Sequence, residues 1–498
     1  MRVGRGTLSL AAGLVLAVLA TVGYTLPPTF DPPPLRPDGS FQSLPDQPSR
    51  ELAPVSATAP IVTEDVEVPV RQTTLKATVR APVTPGRHPA MVFVHGSGRG
   101  DREEFAEAAE FLARAGVVTL VYEKRTVGYT FRHRDFSLLA DDALRMVRHL
   151  RARPDVDRSM VGIWGVSEGT WATPIAAASD PELGFLVLVS APNVSPMRQV
   201  AWALNEQLLR LHAPIGVRDL LTRAMGAVGF DFLRHDPTPA LRGITQPVLA
   251  LYGTDDPSIP FVESTRALVD ALKQSGNDAY TIRFLDGADH AMRVKGGPYA
   301  DGYLETLANW ILGLPESARQ PDHLKIAGAT PVQRYQASDV PAAPWYARGT
   351  MLGLALCLAT VGYVAGPVAE IVVRLRGRAT VVETNAHLWP PIRRRLRRMA
   401  WTGLGLLASV AAFITLLVLF SVNQAGAWPA VLAGWLVVRV LAVLILVQEV
   451  TGVGAVVSAL RQGWRPSRWQ YVGMGGVLGS TGLLLAAAGY YGLFSMPW

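Results

Sequence analysis

One cysteine, Cys357, is all the sequence contains. No internal disulfide and no cysteine-built metal site is therefore possible, and a lone thiol in an apolar stretch says little about redox compartment. Charge is also scarce. Only 17% of the 498 residues are charged and mean hydropathy is +0.22, too apolar for a wholly soluble chain, so part of it is expected in a membrane. The net charge of +7 invites a nucleic-acid reading, but its distribution excludes one. Residues 60–320 hold 28 basic against 31 acidic side chains, a net of −3, and the rest holds 19 against 9, a net of +10. The basic excess lies beside apolar segments, where it sets membrane orientation.

Leu8 to Leu26 is an uninterrupted apolar run preceded by Arg2 and Arg5. It is either a signal peptide or an uncleaved transmembrane anchor; its length and the lack of a small-x-small site after it favour the anchor. Pro27 to Pro60 is proline-rich with few large apolar residues, and is expected to be an extended linker. From Ile61 the pattern alternates through Val66, Val68 and Val70, then Leu75, Ala77 and Val79, as in a hairpin. Short apolar runs at Ala90–Val94, Val117–Val121, Val161–Trp164, Phe185–Val189, Val248–Tyr252 and Tyr280–Leu285 follow. Between them lie helical patterns at Arg102–Ala115, Leu138–Arg151 and Thr170–Ala178. This alternation predicts an α/β fold, a doubly wound, mostly parallel sheet, over residues 61–315. Residues 192–241 interrupt it with mostly helical sequence, expected to form a cap that shapes substrate choice.

The organising stretch is Gly165-Val166-Ser167-Glu168-Gly169, between a strand pattern and an alanine-rich helix pattern. Ser167 is expected on a strained strand-to-helix turn, a nucleophile elbow, with its hydroxyl above the sheet. The amide of Glu168, at the helix N-terminus, then faces an oxyanion. The strand Ala90–Val94 ends in His95-Gly96-Ser97-Gly98, and the Ser97 amide is the candidate second donor. His95 reads as a structural residue of that loop. Asp141 and Asp142 read as structural, favouring the positive end of their helix. Later strands end in GTDDPSIP at 253–260 and DGADHAM at 286–292. They supply an acid, Asp255 or Asp256, and His290, in the order serine, acid, histidine. Asp289, next to His290, reads as loop structure.

Together these pieces resemble the α/β-hydrolase superfamily, and within it the dienelactone-hydrolase and serine-aminopeptidase-like bacterial hydrolases. The matching stretches are VHGSGRGDR (94–102), VYEKRTVG (121–128), RPDVDRSMVGIWGVSEG (153–169), GTDDPSIP and GADHAM. Val166, Thr170, Glu123 and Thr126 depart from the family pattern, which often has histidine, glycine, aspartate and glycine there. The resemblance implies a Ser167–His290–Asp256 triad, the acid standing three residues after Gly253. No metal cluster or phosphate-binding glycine loop appears, so the chemistry implied needs no cofactor and no metal.

After a second linker, 316–348, four apolar segments follow at Met351–Val373, Ala400–Val422, Pro429–Val450 and Tyr471–Phe494, each of spanning length. Arg374, Arg376, Arg378, Arg393, Arg394, Arg395, Arg397 and Arg398 lie between the first two, and Arg461, Arg465 and Arg468 between the last two. The positive-inside rule puts both loops in the cytoplasm and residues 61–315 outside, in agreement with the arginines before the first run. Arg439, mid-span, is expected in an interhelical contact, with Glu370 or a substrate path as the functional alternative and Glu449 a poor partner. The expected function is a membrane-anchored extracytoplasmic serine hydrolase of the esterase, lipase or thioesterase type, a carboxylic ester hydrolase first among them, acting on a small-molecule or lipid-like acyl substrate. The alternatives are a peptidase or acyltransferase with the same triad, or a binding domain on a transporter or sensor.

Overall fold

The valine alternation of residues 61–82 does form a hairpin, β1 (Ile61–Val70) and β2 (Thr73–Pro82), joined by a tight turn with Gln72 at φ +67°. The computed structural model describes residues 5–36, 41–130, 132–227, 230–375, 386–422 and 424–495. Contiguous contacts divide the chain into two compact units, one of residues 32–207 and 230–339, the other of residues 1–31, 208–229 and 340–498.

Among the described residues, the first unit is built on a nine-stranded sheet. Its further strands are β3 (His88–Val94), β4 (Val118–Tyr122), β5 (Val156–Val166), β6 (Leu186–Val189), β7 (Val248–Gly253), β8 (Tyr280–Leu285) and β9 (Ile326–Gly328). The order is β1-β2-β4-β3-β5-β6-β7-β8-β9; β1, β2 and β4 pair antiparallel and every other pair is parallel. Each apolar run became a strand because both of its faces are covered. Val92, Val94, Leu120, Ile163 and Leu188 point into one core with the helices Phe136–Arg151, Gly169–Ser179 and Phe261–Gln274. Met91, Phe93, Val121, Trp164 and Val187 point into the other, under the helices Ala106–Arg114 and Tyr303–Leu312.

Several local expectations change. The helix expected from Arg102 starts at Ala106, because Arg102 is drawn to Asp65 (2.9 Å) and Glu123 (3.7 Å) on neighbouring elements. Asp135, not Asp141 or Asp142, caps the next helix, accepting from the amides of Ser137 (2.9 Å) and Leu138 (3.1 Å). Asp142 is buried mid-helix in a bidentate pair with Arg125 (2.6 and 3.0 Å). Burial pushes its carboxyl up, against the pull of Arg125.

The proline-rich segment is irregular but is not a free spacer from residue 32 onward. Phe41 packs edge-on against Phe284, and Glu51 forms a buried pair with Arg283. Likewise β9 falls in the stretch read as a second linker, and adds an edge strand beside β8.

Among the described residues of the second unit, four helices are long and apolar enough to cross a membrane: Thr7–Thr25, Trp389–Leu417, Trp428–Arg461 and Arg468–Tyr490. The helix Gly349–Leu375 carries a shorter apolar stretch, Gly349–Ala365. It crosses Arg468–Tyr490 at two glycines. A Cβ on Gly362 would lie 2.6 Å from the Gly476 carbonyl, so only small residues allow this approach. The Arg439 guanidinium donates to the Ser495 carbonyl, beyond the end of the helix Arg468–Tyr490, and lies 5.5 Å from the ring centroid of Trp435 on its own helix, rather than making the helix-to-helix contact expected. The Glu370 side chain lies outside the described residues, as do Arg376 and Arg378.

The insertion expected as one cap over 192–241 is divided between the units. Its helix Pro196–Arg210 sends Gln199 to the Ser258 carbonyl (2.7 Å) of the first unit. Its helix Ile215–Ala227 belongs to the second, where Gly216 abuts Trp435 and Arg223 donates to the Tyr490 carbonyl (2.9 Å).

Candidate active site

The site is assembled at the carboxyl ends of β3, β5, β6, β7 and β8, where loops leave a parallel sheet. Ser167 follows β5 directly and has φ +53°, in the left-handed region that a non-glycine residue adopts only under local constraint. The constraint is visible on both sides. A Cβ on Gly169 would lie 2.7 Å from the carbonyl oxygens of Val94 and His95, and one on Gly165 would lie 2.7 Å from Thr173 Cγ2. The helix therefore packs against the strand ends closely enough to force the sharp turn. The Ser167 amide is tied to the Val189 carbonyl at 3.0 Å.

Asp256 and His290 meet. His290 Nδ1 lies 2.9 Å from Asp256 Oδ2, while Asp256 Oδ1 accepts the amide of Ser258 at 2.7 Å. The Asp256 carboxylate is buried and the His290 ring is about one-third exposed. Burial pulls the imidazole pKa down, but the charge of Asp256, its hydrogen bond and the charge of Asp289 outweigh that, and the net is upward from 6.5. Asp255, the rival acid, is exposed. Asp289 accepts from the amides of Ala291 and Arg293 and organises its own loop.

His95 has an acceptor on each ring nitrogen: Glu104 Oε2 at 2.9 Å from Nδ1 and the Tyr122 carbonyl at 2.5 Å from Nε2. It is fully engaged in holding its loop. Ser97 is exposed beside it, and Gly96 abuts Ser167, since a Cβ there would come within 3.4 Å of the serine Cβ.

Four side chains at the site were not legible from motif spacing. Ser190, buried at the end of β6 with φ +47°, donates to the His290 carbonyl at 2.9 Å. Lys124 and Tyr129, from the loop after β4, converge on the Glu168 carboxylate. Lys124 Nζ lies 2.6 Å from Glu168 Oε1 and 2.6 Å from the Gly96 carbonyl; the Tyr129 hydroxyl lies 2.5 Å from Oε1, and Arg134 pairs with Oε2. Burial pulls the Lys124 pKa down against the pull of Glu168, and burial together with Glu168 pushes the Tyr129 hydroxyl up. The only sequence signal for this cluster is the position of VYEKRTVG at a strand end.

Comparison with known proteins gives a consistent picture. Residues 137–313 match the model of the prolyl oligopeptidase family, Peptidase S9. The esterase EstD of Thermotoga maritima is 27% identical over 248 residues, which is 44% of this chain and 58% of EstD. The chain thus spans less than two-thirds of the length of this curated relative. The fold is that of an α/β-hydrolase. Among solved structures, a putative dienelactone hydrolase from Klebsiella pneumoniae is similar at 18% identity and TM-score 0.36, covering 52% of this chain and 100% of that one. A dienelactone hydrolase from Anabaena variabilis is similar at 22% identity and TM-score 0.34 (50% and 95%), and the acylaminoacyl peptidase of Pyrococcus horikoshii at 16% and 0.36 (51% and 40%).

Proposed function

We propose that this protein is a membrane-anchored serine hydrolase that cleaves an ester or other acyl bond through an acyl-enzyme on Ser167. The observations that support this reading are the Asp256–His290 pair at 2.9 Å and, in the same unit, Ser167 held at φ +53° on a strand-to-helix turn. In the reaction, Ser167 Oγ attacks the acyl carbonyl as its proton passes to His290 Nε2, and Asp256 holds Nδ1 and steadies the imidazolium. His290 then returns the proton to the leaving alcohol or thiol. The amides of Ser97 and Glu168 receive the negative charge of the tetrahedral intermediate, and each such donor is worth roughly 2.7–4 kcal/mol. Water activated by His290 releases the acid and restores the serine. No step needs a cofactor.

The long apolar helices and the arginine-rich connections support integration in the cell membrane with the hydrolase domain on the extracytoplasmic side. An acyl compound at or near the bilayer is the substrate that suits such tethering. The match of residues 137–313 to the prolyl oligopeptidase family supports a second reading, a peptidase using the same three residues.

Labelling of the full-length protein in detergent by a fluorophosphonate tests the proposal, with acyl esters of several lengths and short peptide amides as competitors. Labelling is expected in the wild type and is lost in Ser167→Ala and His290→Ala. Protection by esters selects the esterase reading and protection by peptides the peptidase reading. An unlabelled but folded wild type would overturn both.

A further inference from the structure

We propose that Lys124 is a positioning residue that sets the oxyanion hole by gripping the peptide unit between Gly96 and Ser97. The inference rests on the serine-hydrolase reading above and assigns a task to a buried cation which the triad does not use. A trans peptide is planar, and its C=O and N–H point in opposite directions. Lys124 Nζ donates to the Gly96 carbonyl at 2.6 Å. Holding that oxygen therefore fixes the direction of the Ser97 N–H, the proposed oxyanion donor. The loop needs such a hold, because Gly96 and Gly98 flank Ser97 and Gly98 sits at φ +96°. With Gly96 at one end of this peptide and Gly98 just beyond Ser97, its rotation meets less steric resistance than it would between larger residues.

The same ammonium lies 2.6 Å from Glu168 Oε1, and Glu168 carries the other proposed donor on its own backbone. One cation thus ties together the two chain segments that form the hole. Both charges are buried, with side-chain exposures of 4% for Lys124 and 2% for Glu168. A buried pair is weak evidence of stabilisation, since desolvation offsets much of the attraction. The ammonium could have been satisfied by Glu168 and water at less desolvation. Its placement on a backbone carbonyl 28 positions away, beside the nucleophile, is what points to positioning.

The test compares Lys124→Met with Glu168→Gln in the full-length protein. The readouts are kcat and KM on an acyl ester, affinity for an alkyl boronic acid that forms a tetrahedral adduct on the serine, and the thermal midpoint. Lys124→Met is expected to lower kcat about 100-fold, the effect of losing one oxyanion donor, with KM within a few-fold and boronate affinity falling in step with kcat. Glu168→Gln leaves the lysine on Gly96 and is expected to lose no more than about a tenth of that factor. Equal kcat losses in the two variants, or unchanged boronate affinity in Lys124→Met, would overturn the proposal and leave a structural ion pair. If Lys124→Met does not fold, Lys124→Met/Glu168→Gln also removes the carboxylate charge that the lysine had balanced together with Arg134; it is expected to keep the 100-fold loss, and recovery to the level of Glu168→Gln would refute the clamp. Failure of the underlying reading looks different, because the wild type itself would then bind no boronate and take no fluorophosphonate.

Discussion

The hydroxyl of Ser190 donates to the backbone carbonyl of His290 at 2.9 Å, across 100 positions of sequence. The preceding residue, Val189, accepts the amide of Ser167 at 3.0 Å. The proposed nucleophile and base are therefore tied to consecutive residues at the end of one short central strand, β6, which contributes no residue to the proposed triad.

Ser190→Ala should accordingly impair the reaction without abolishing it. The substitution frees the His290 carbonyl in a place where Ser190 itself is fully buried. A lost internal hydrogen bond costs about 1 kcal/mol of stability. A base displaced by a fraction of an ångström is expected to lower kcat about 10-fold, with KM unchanged. Steady-state kinetics alongside urea unfolding would check both parts; a loss of stability with full kcat would show that the bond only braces the loop.

The pH profile follows from the environment of His290. As the proposed base, His290 must be neutral, so activity is expected to fall as pH drops through the histidine pKa. Burial acts to lower that pKa, whereas the Asp256 charge and hydrogen bond, with the Asp289 charge, raise it, and the sum lies above 6.5. The acid limb of kcat/KM is therefore expected at a midpoint above pH 6.5. In Asp256→Asn the two largest raising influences disappear and burial remains, so the limb should move to lower pH while kcat drops by about 10⁴-fold. A pH–rate profile with the limb unmoved would mean that another acid partners the histidine.

How much of this was legible in the sequence depends on the range of the interaction. The strands were readable because each is a short apolar run, buried on both faces, as at Val92 and Phe93. Asp256, set apart from Asp255 by the family pattern, is the one buried against His290. The Asp135 cap and the Asp142–Arg125 pair were missed because an acidic triplet near a helix start does not reveal which member faces the core. Lys124–Glu168 spans 44 positions and Ser190–His290 spans 100, and contacts of that range leave no periodicity to read. The same holds for Glu51, one acid in a stretch whose prolines suggested a spacer.

That acid yields the strongest stability prediction. Glu51 makes a bidentate pair with Arg283 (2.6 and 2.7 Å), in which both side chains are almost wholly excluded from solvent. Arg283 also donates to the carbonyls of Ile282 and Lys325, and Asn309 holds the Glu51 and Ala53 carbonyls at 3.0 and 2.9 Å. The segment before β1 is thereby fastened to β8 and to the helix Tyr303–Leu312. Glu51→Gln leaves a buried guanidinium without its counter-charge, which costs about 3–5 kcal/mol. Replacing both, as Glu51→Met/Arg283→Met, removes the unpaired charge and should restore most of that loss. Urea midpoints of the wild type, both single variants and the double variant give the coupling directly. If the segment were an independent spacer, Glu51→Gln would unfold at the wild-type midpoint and the coupling would vanish.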